Sequence, residues 1–345
     1  MNVSTNVSGV GREPKGYSRV ATSLLSVPGH PSVRAAALLN VLHVLVTDHA
    51  GATAAHLLVD EHAQPIGRLP DLQLTIISVE GCADELLVTG EDALGRVLLV
   101  SLNSDGSERW RAPLAVGPVV TRAPRVLWAA GQAIVAWEET EDDQCVLLVS
   151  SVRAKRCDPP RRFVLSGVTL QLDFVLTPAG LVIARLSGFP PRCSLLRLDG
   201  NNNLTHVDLD DVNAGQIAIA PAAAGVALAW AEGQSVGMQQ FDSSLRPVGE
   251  PVSLSIPGGT IKRLCGYGPG RPAFVATAWQ GKRDVRGLSP TEHARSQVLL
   301  DDSVVEVPLP VGWIETGAWL GETFVLIHGA GPMAASAFSV VTDHG

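Results

Sequence analysis

Positive charge is scarce in this sequence. The 345 residues include 26 Lys and Arg against 34 Asp and Glu, which gives a formal net charge of -8. Nucleic acids and anionic membranes attract proteins through a concentrated positive field. The run from Arg153 to Arg162 is basic, but it lacks interleaved aromatic residues that would stack on bases. We therefore expect neither nucleic acid nor a membrane as a partner.

Long apolar runs are absent as well. The most apolar stretch, Val33 to Val46, is interrupted by Arg34, Asn40 and His43. It is shorter than the roughly 20 residues that a membrane-spanning helix needs. Residues 1–16 are polar and lack the apolar core of a secretory signal. The sequence predicts a cytoplasmic protein.

The cysteines form no recognisable framework. Their number is odd and no two are spaced as Cys-x-x-Cys, which argues against a disulfide scaffold and a zinc knuckle. The sequence also lacks a Gly-x-Ser-x-Gly elbow and a phosphate-binding Walker loop. No cofactor or metal is predicted, although a divalent metal stays an alternative. The five cysteines are Cys82, Cys145, Cys157, Cys193 and Cys265.

An internal repeat runs through the chain instead. One segment recurs: an apolar strand, a small turn, a second apolar strand, a polar loop, a third strand and a turn rich in Asp, Asn, Ser or Gly. The second strands end at residues 48, 90, 137, 185, 230, 279 and 328, at intervals of 42 to 49 residues. A repeat period in this range is typical of solenoids and propellers. The aligned triplets are Val46-Thr47-Asp48, Val88-Thr89-Gly90, Val135-Ala136-Trp137, Ile183-Ala184-Arg185, Leu228-Ala229-Trp230, Thr277-Ala278-Trp279 and Leu326-Ile327-His328.

Turn chemistry follows the third strands. The segments Asn103 to Gly106, Asp199 to Asn202 and Asp242 to Ser244 favour tight turns between antiparallel strands. No segment combines a sustained helical period with helix caps. The sequence therefore predicts an all-β chain of antiparallel meanders.

The repeat resembles that of the seven-bladed β-propeller superfamily, in its degenerate bacterial form, over about residues 17 to 345. The resemblance includes the phrases Ile134-Val135-Ala136-Trp137-Glu138 and Leu228-Ala229-Trp230-Ala231-Glu232. It implies seven blades of four antiparallel strands, packed face to face. The sequence has no recurring Trp-Asp dipeptide, no double-Gly kelch pattern and no calcium loop. The superfamily therefore implies a shape and no particular chemistry.

The ends of the chain predict how the ring closes. The last repeat has three strands, and residues 17–28 supply an extra strand before the first repeat. Pairing that strand with the last repeat would complete blade 7 and remove an exposed sheet edge. We expect a flexible segment at 1–16 and a single propeller domain at 17–345. The expected blades are about 33–75, 76–120, 124–167, 170–212, 213–257, 260–310 and 311–345.

Loops that join second to third strands, and those that join blades, line one face in propellers of this kind, and binding sites are often found there. Tryptophan offers a rigid apolar platform and charged groups add directional contacts. A repeated tryptophan also packs between blades, so both interpretations stay open. The residues assigned to this ligand or partner face are Trp137, Arg185, Trp230, Glu232, Trp279, Gln280 and Lys282.

A catalytic site on the same face is a second hypothesis. Blades 1 and 7 are neighbours in a closed ring, and a histidine beside carboxylates could transfer a proton or bind a metal. Ordinary surface histidines are the alternative. The candidate residues are His328, Asp48, His49, Glu91 and Glu138.

The sequence favours a monomeric, non-catalytic binding or scaffolding propeller whose partner is a protein or a polar small molecule. A propeller lyase or hydrolase is the alternative. A carbohydrate-binding propeller is the third hypothesis, but the ring positions vary from blade to blade and do not form identical pockets. Whether the protein is an enzyme stays open, with a binding function preferred.

Overall fold

A computed structural model describes residues 17–25, 32–47, 54–117, 120–142, 144–153, 155–201, 203–210, 212–256, 260–268, 271–279, 294–300, 303–307, 314–329 and 333–340. Every regular element in these ranges is a β-strand. Within the same ranges, no helix is long and apolar enough to cross a membrane.

The strands form seven antiparallel sheets, each one blade of a propeller. Blade 1 contains β2 (Ser32–Leu38), β3 (Val41–Thr47), β4 (Ala54–Val59) and β5 (Pro65–Leu72); blade 2 contains β6 (Thr75–Cys82), β7 (Glu85–Glu91), β8 (Val97–Asn103) and β9 (Glu108–Pro113); blade 3 contains β10 (Val120–Ala129), β11 (Gln132–Glu141), β12 (Gln144–Arg153), β13 (Arg156–Cys157) and β14 (Arg161–Leu165); blade 4 contains β15 (Thr169–Thr177), β16 (Gly180–Ser187), β17 (Arg192–Leu198) and β18 (Leu204–Leu209).

The remaining blades follow the same order along the chain. Blade 5 contains β19 (Gln216–Ala222), β20 (Gly225–Glu232), β21 (Ser235–Asp242) and β22 (Pro247–Ser255); blade 6 contains β23 (Thr260–Tyr267), β24 (Ala273–Trp279), β25 (Ala294–Leu300) and β26 (Ser303–Glu306); blade 7 contains β27 (Ile314–Leu320), β28 (Thr323–Gly329), β29 (Met333–Val340) and, from the other end of the chain, β1 (Tyr17–Leu25).

The all-β, seven-bladed architecture expected from the repeat is confirmed. Strand β1 pairs with β29 from Tyr17 opposite Val340 to Leu25 opposite Met333. The fourth strand of blade 7 therefore comes from the N-terminal side of the chain. Blade 3 departs slightly from the pattern, because its outer strand is interrupted and both β13 and β14 pair with β12.

The core consists of seven apolar layers, one between each pair of neighbouring blades. Both faces of each blade are covered by a neighbouring blade. The inner strands are therefore apolar runs of Val, Leu, Ile and Ala without clean alternation. The first strands of neighbouring blades contact each other, as β2 does with β6 and β27, and β10 does with β6 and β15. These strands therefore lie nearest the axis of the ring.

Because successive strands of each blade run in opposite directions, the loops lie on two opposite faces of the propeller. The loops between second and third strands and those between blades lie on one face, which we call the connection face. The turns between first and second strands and between third and fourth strands lie on the opposite face, called the turn face. Several turns on both faces are closed by an aspartate whose Oδ1 accepts hydrogen bonds from the backbone N–H groups two and four residues later. The residues are Asp60, Asp92, Asp199 and Asp242.

Candidate functional site

Trp137 lies inside the protein. It is the ring residue of blade 3, by which we mean the last residue of the aligned second-strand triplet. Its side chain is 0% exposed and belongs to the apolar layer between blades 2 and 3. The indole N–H donates to Glu139 Oε1 at 2.7 Å, and the same oxygen accepts a hydrogen bond from Gly117 N at 2.6 Å. Trp137 therefore anchors the connection between the two blades. Its assignment to a surface binding face is corrected, and packing between blades is the interpretation that the structure supports.

Arg185 occupies the equivalent position in blade 4 and is also buried. Its Nε donates to Thr169 Oγ1 at 3.0 Å, and its Nη2 donates to the carbonyl oxygens of Ser166 at 2.6 Å and Gly167 at 3.0 Å. Burial lowers the pKa of Arg185, which the nearby Glu138 and a neighbouring cysteine oppose. Arg185 therefore holds the connection between blades 3 and 4 and is not presented to a ligand.

Blade 5 exposes more of its ring residues. Trp230 is half-buried and lies over Gly237, where a Cβ atom would come within 2.2 Å of the indole. Glu232 is exposed and accepts a hydrogen bond from Asn213 Nδ2 at 2.8 Å. In blade 6, Trp279 ends β24, but its side chain, together with residues 280 and 282, is not among those described.

Gln280 and Lys282, assigned to the same face, therefore lie outside the described residues, as do Asp48 and His49 of the catalytic hypothesis.

His328 is 2% exposed. Its Nε2 and Ser336 Oγ are 2.9 Å apart, and burial lowers the pKa of His328 to about 4. The imidazole is therefore neutral near pH 7 and closed to solvent. This is unlike the accessible group that the catalytic hypothesis placed here.

The two candidate carboxylates among the described residues, Glu91 and Glu138, do not lie beside His328. Glu91 is exposed at the end of β7 in blade 2. Glu138 is buried beside Arg185 and Cys145, and it contributes to the raised pKa of that thiol. Their places in the fold put Glu138 at the junction of blades 3 and 4 and His328 in blade 7. Among the described residues, no group of three His, Cys, Asp or Glu side chains is placed to hold a metal ion.

The sequence analysis did not identify a cluster of charged residues on the first strands, near the axis of the ring. Arg125 Nη1 donates to Asp173 Oδ1 at 2.7 Å, and Asp173 Oδ2 accepts from Ile219 N at 3.0 Å. Burial raises the pKa of Glu80 to about 7, and Arg125 opposes that rise. These residues connect the first strands of blades 2 to 5. The signal in the sequence is an isolated charge inside an otherwise apolar first strand.

An exposed apolar patch lies on the connection face of blade 4. Phe189 is 80% exposed and Val168 is 61% exposed, and Leu170 is also exposed. The backbone N–H of Gly188 donates to Val168 O at 3.1 Å, which places the turn after β16 beside the connection from blade 3. Pro190 and Pro191 continue the turn and are exposed. We call Val168, Leu170 and Phe189 to Pro191 the blade 4 patch.

A small groove of about 270 Å³ begins at the same turn. Its polar lining consists of Asp208, Asp210 and Arg192, with Pro191 shared with the patch. Asp208 Oδ1 is 3.1 Å from His206 Nε2 and its side chain is exposed. The patch therefore borders a groove in which carboxylates outnumber cations.

Comparisons with known proteins identify the fold. No protein-family model matches the sequence, and no curated protein matches it significantly. Similar solved structures include BBS1N in complex with ARL6DN, at 11% identity and a TM-score of 0.57 over 95% of this chain and 98% of that chain. Streptogramin B lyase is similar at 13% identity and a TM-score of 0.55, over 94% of this chain and 98% of that chain.

The Cps50 (Swd1) β-propeller domain of Myceliophteria thermophila is similar at 11% identity and a TM-score of 0.54, over 94% of this chain and 100% of that chain. At such low identity the likeness concerns the fold alone. Together with the seven sheets and the pairing of β1 with β29, it identifies this chain as a seven-bladed β-propeller.

Proposed function

We propose that this propeller is a protein-binding module that contacts its partner through the blade 4 patch. The observation that carries the proposal is the exposed Phe189 turn beside the exposed Val168. Single exposed apolar residues are common on protein surfaces, whereas contiguous exposed apolar patches are typical of interaction sites. Aromatic side chains also contribute most strongly to the binding energy of protein interfaces.

The patch is held in place before any partner arrives. Arg185 binds the connection at Ser166, Gly167 and Thr169, directly before Leu170. The hydrogen bond from Gly188 N to Val168 O joins this connection to the turn. Ordering flexible loops on binding costs free energy. A prearranged patch avoids much of that cost.

The bordering groove indicates the chemistry of the partner. The carboxylates of Asp208 and Asp210 lie beside the apolar turn, and the whole chain carries a net charge of -8. Complementary charge steers association and disfavours wrong partners. The partner surface that fits best presents an apolar side chain flanked by Lys or Arg. The similar propeller BBS1N is described in complex with another protein, ARL6DN, which supports this use of the fold.

The test compares affinity capture by the wild type with capture by Phe189→Ser. The control is Leu94→Ser, which removes another exposed apolar side chain from the connection face, in blade 2. We expect a protein retained in stoichiometric amount by the wild type and the control and lost from the Phe189→Ser variant. Introducing a photo-crosslinking phenylalanine analogue at position 189 should then link that protein directly. Equal retention by all three proteins, or no crosslink, contradicts the proposal.

The lyase or hydrolase alternative and the carbohydrate-binding alternative stay predictions. Among the described residues, no observation favours either, because His328 and Glu138 are buried in different parts of the ring. A polar small molecule as ligand, a cytoplasmic location and a monomeric state likewise stay predictions from the sequence.

A further inference from the structure

A second cavity of the described residues lies on the turn face, on the side of the ring opposite the blade 4 patch. It is an open cleft of about 660 Å³ between blades 2 and 3. This volume is in the range of about 300–1,000 Å³ that is typical of ligand pockets. We call it the blade 2–3 cleft. Its functional side chains are Glu85, Asn103, Arg109, Trp110, Trp128 and Lys155.

Two tryptophans from different blades meet in this cleft. Trp110 lies on β9, the outer strand of blade 2, and Trp128 lies near the end of β10, the first strand of blade 3. Both are half-buried at the edge of the apolar layer that contains Leu87. Partly exposed indoles above an apolar floor can accept a large apolar side chain from a partner.

The wall from blade 3 carries one lysine, with arginines next to it in sequence. Lys155 lies in the turn between β12 and β13, where Arg153 and Arg156 form a directly opposed pair. Arg153 is 3.6 Å from Asp158. Within the described part of the chain, Lys155 and Arg156 form no salt bridge, and both are exposed.

The carboxylates near the cleft are already paired. Glu85 accepts a hydrogen bond from the Ser101 hydroxyl and lies 3.6 Å from Arg109 Nη1. Arg109 Nη2 is 2.7 Å from Asp84 Oδ2. The charged group of the cleft lining that remains available to a ligand is therefore Lys155, and Arg156 follows it at the start of β13.

We propose that the blade 2–3 cleft binds a short acidic peptide segment that presents an aromatic or large apolar side chain. The indoles would hold the apolar group, and Lys155 and Arg156 would pair with flanking carboxylates. A nucleic acid fits less well, because Glu85 lines the other wall, Asp84 pairs with Arg109 of that wall, and the chain as a whole is acidic. This site is independent of the blade 4 patch. With both occupied, the propeller would join two proteins on opposite faces.

The test uses a fluorescein-labelled Glu-Asp-Phe-Asp-Glu peptide and measures its fluorescence anisotropy. Comparison probes are Lys-Lys-Phe-Lys-Lys, Glu-Asp-Ala-Asp-Glu and a labelled thymidine oligonucleotide. The test variant carries Lys155→Glu and Arg156→Glu. The control variant carries Arg68→Glu and Arg246→Glu, which change the charge equally at exposed sites in blades 1 and 5.

We expect the acidic phenylalanine peptide to bind the wild type and the control variant, with affinity that falls as salt is added. Binding should weaken at least tenfold in the Lys155→Glu, Arg156→Glu variant and with the alanine peptide. Phe189→Ser should leave it unchanged, which separates this site from the proposed partner surface. A circular dichroism melt of each variant verifies folding.

Three results overturn the proposal. The first is no binding of the acidic peptide, or equal binding of the basic one. The second is tighter binding of the oligonucleotide, lost in the test variant, which would make the cleft a nucleic-acid site. The third is a concentration-dependent dimer in sedimentation that disappears in the test variant, which would place a second copy of this chain in the cleft.

Discussion

Two neighbouring junctions of the ring use the same repeat position in different ways. Between blades 2 and 3, Trp137 is fully buried and binds the connection through Glu139. Between blades 3 and 4, Arg185 is buried and binds the connection directly through its guanidinium. The shared task is to hold the chain that leads from one blade to the next. The variable residue type is therefore a structural solution and does not indicate a ligand site.

The junctions differ in what they leave exposed. The junction that contains the buried Trp137 has an open cleft on the turn face. The junction that contains the hydrogen-bonded Arg185 has an exposed apolar patch on the connection face. The two junctions therefore expose different surfaces on opposite faces of the propeller. Four variants test this comparison, and they follow in order of decreasing effect.

Trp137→Ala should give the largest loss of stability. It removes a fully buried indole and leaves Glu139 with only Gly117 as its described partner. Core Trp→Ala changes cost about 3–5 kcal/mol. Urea unfolding measures the free energy of unfolding, with exposed Leu94→Ala as the control. A loss below about 1 kcal/mol, on the scale of ordinary surface substitutions, would show that the junction is not locked at this residue.

A buried histidine pair in blade 1 extends the comparison to the pH dependence of stability. His43 Nδ1 and His56 Nε2 are 2.9 Å apart, and burial lowers the pKa of both residues to about 4. The unfolded chain binds protons below its pKa near 6.5, whereas the folded pair stays neutral. Their contribution to stability is therefore complete above about pH 6.5 and is lost as pH falls toward 4.

Because the two histidines titrate as one coupled pair, together they should contribute up to about 3 kcal/mol to this loss. The measurement is the difference in unfolding free energy between the wild type and a His43→Leu, His56→Leu variant from pH 7 to pH 4. Taking the difference matters because Glu80, with its raised pKa, contributes with the opposite sign in the same range. Parallel pH profiles for the two proteins would refute a buried neutral pair.

Arg185→Met should have an intermediate effect. It removes the three hydrogen bonds that a buried, charged guanidinium donates to the connection, at a cost of about 1–3 kcal/mol. Because the connection carries Val168, partner capture through the blade 4 patch should fall as well. Arg246→Met, at an exposed site, is the matched control in urea unfolding and in capture. Loss of stability with full partner capture would separate the role of Arg185 from that of the patch.

Phe189→Ser should have the smallest effect on stability, within about 0.5 kcal/mol, because the side chain is 80% exposed. The same substitution should abolish partner capture. A thermal melt beside the capture assay makes the contrast with Trp137→Ala explicit. A large drop in melting temperature would mean that Phe189 supports the fold and is not reserved for a partner.

The repeat made the fold predictable, but it gave no correct indication of which ring residues are exposed. The spacing of the second strands and the extra strand at Tyr17–Leu25 predicted seven blades and their closure. The same alignment brought Trp137, Arg185 and His328 to one repeat position, and the structure shows all three side chains buried. Sequence spacing gives a residue's place along a strand, but its exposure depends on how closely the next blade packs.

Other features required residues that are distant in sequence. Trp110 and Trp128 lie outside the basic run that contains Lys155, and the run itself has no aromatic residue, yet the cleft brings all three side chains together. The pairing of Arg125 with Asp173 likewise joins two blades. Only the isolated charges in the apolar first strands hinted at it.

The strand pattern, the number of blades and the chemistry of the turns are predictable from the sequence, because they depend on local periodicity and on Asp and Gly at fixed positions. The tertiary structure decided which polar groups are buried, which apolar groups stay exposed, and where a cleft opens between blades. Those properties arise from the packing of one blade on another, and no single repeat contains both surfaces.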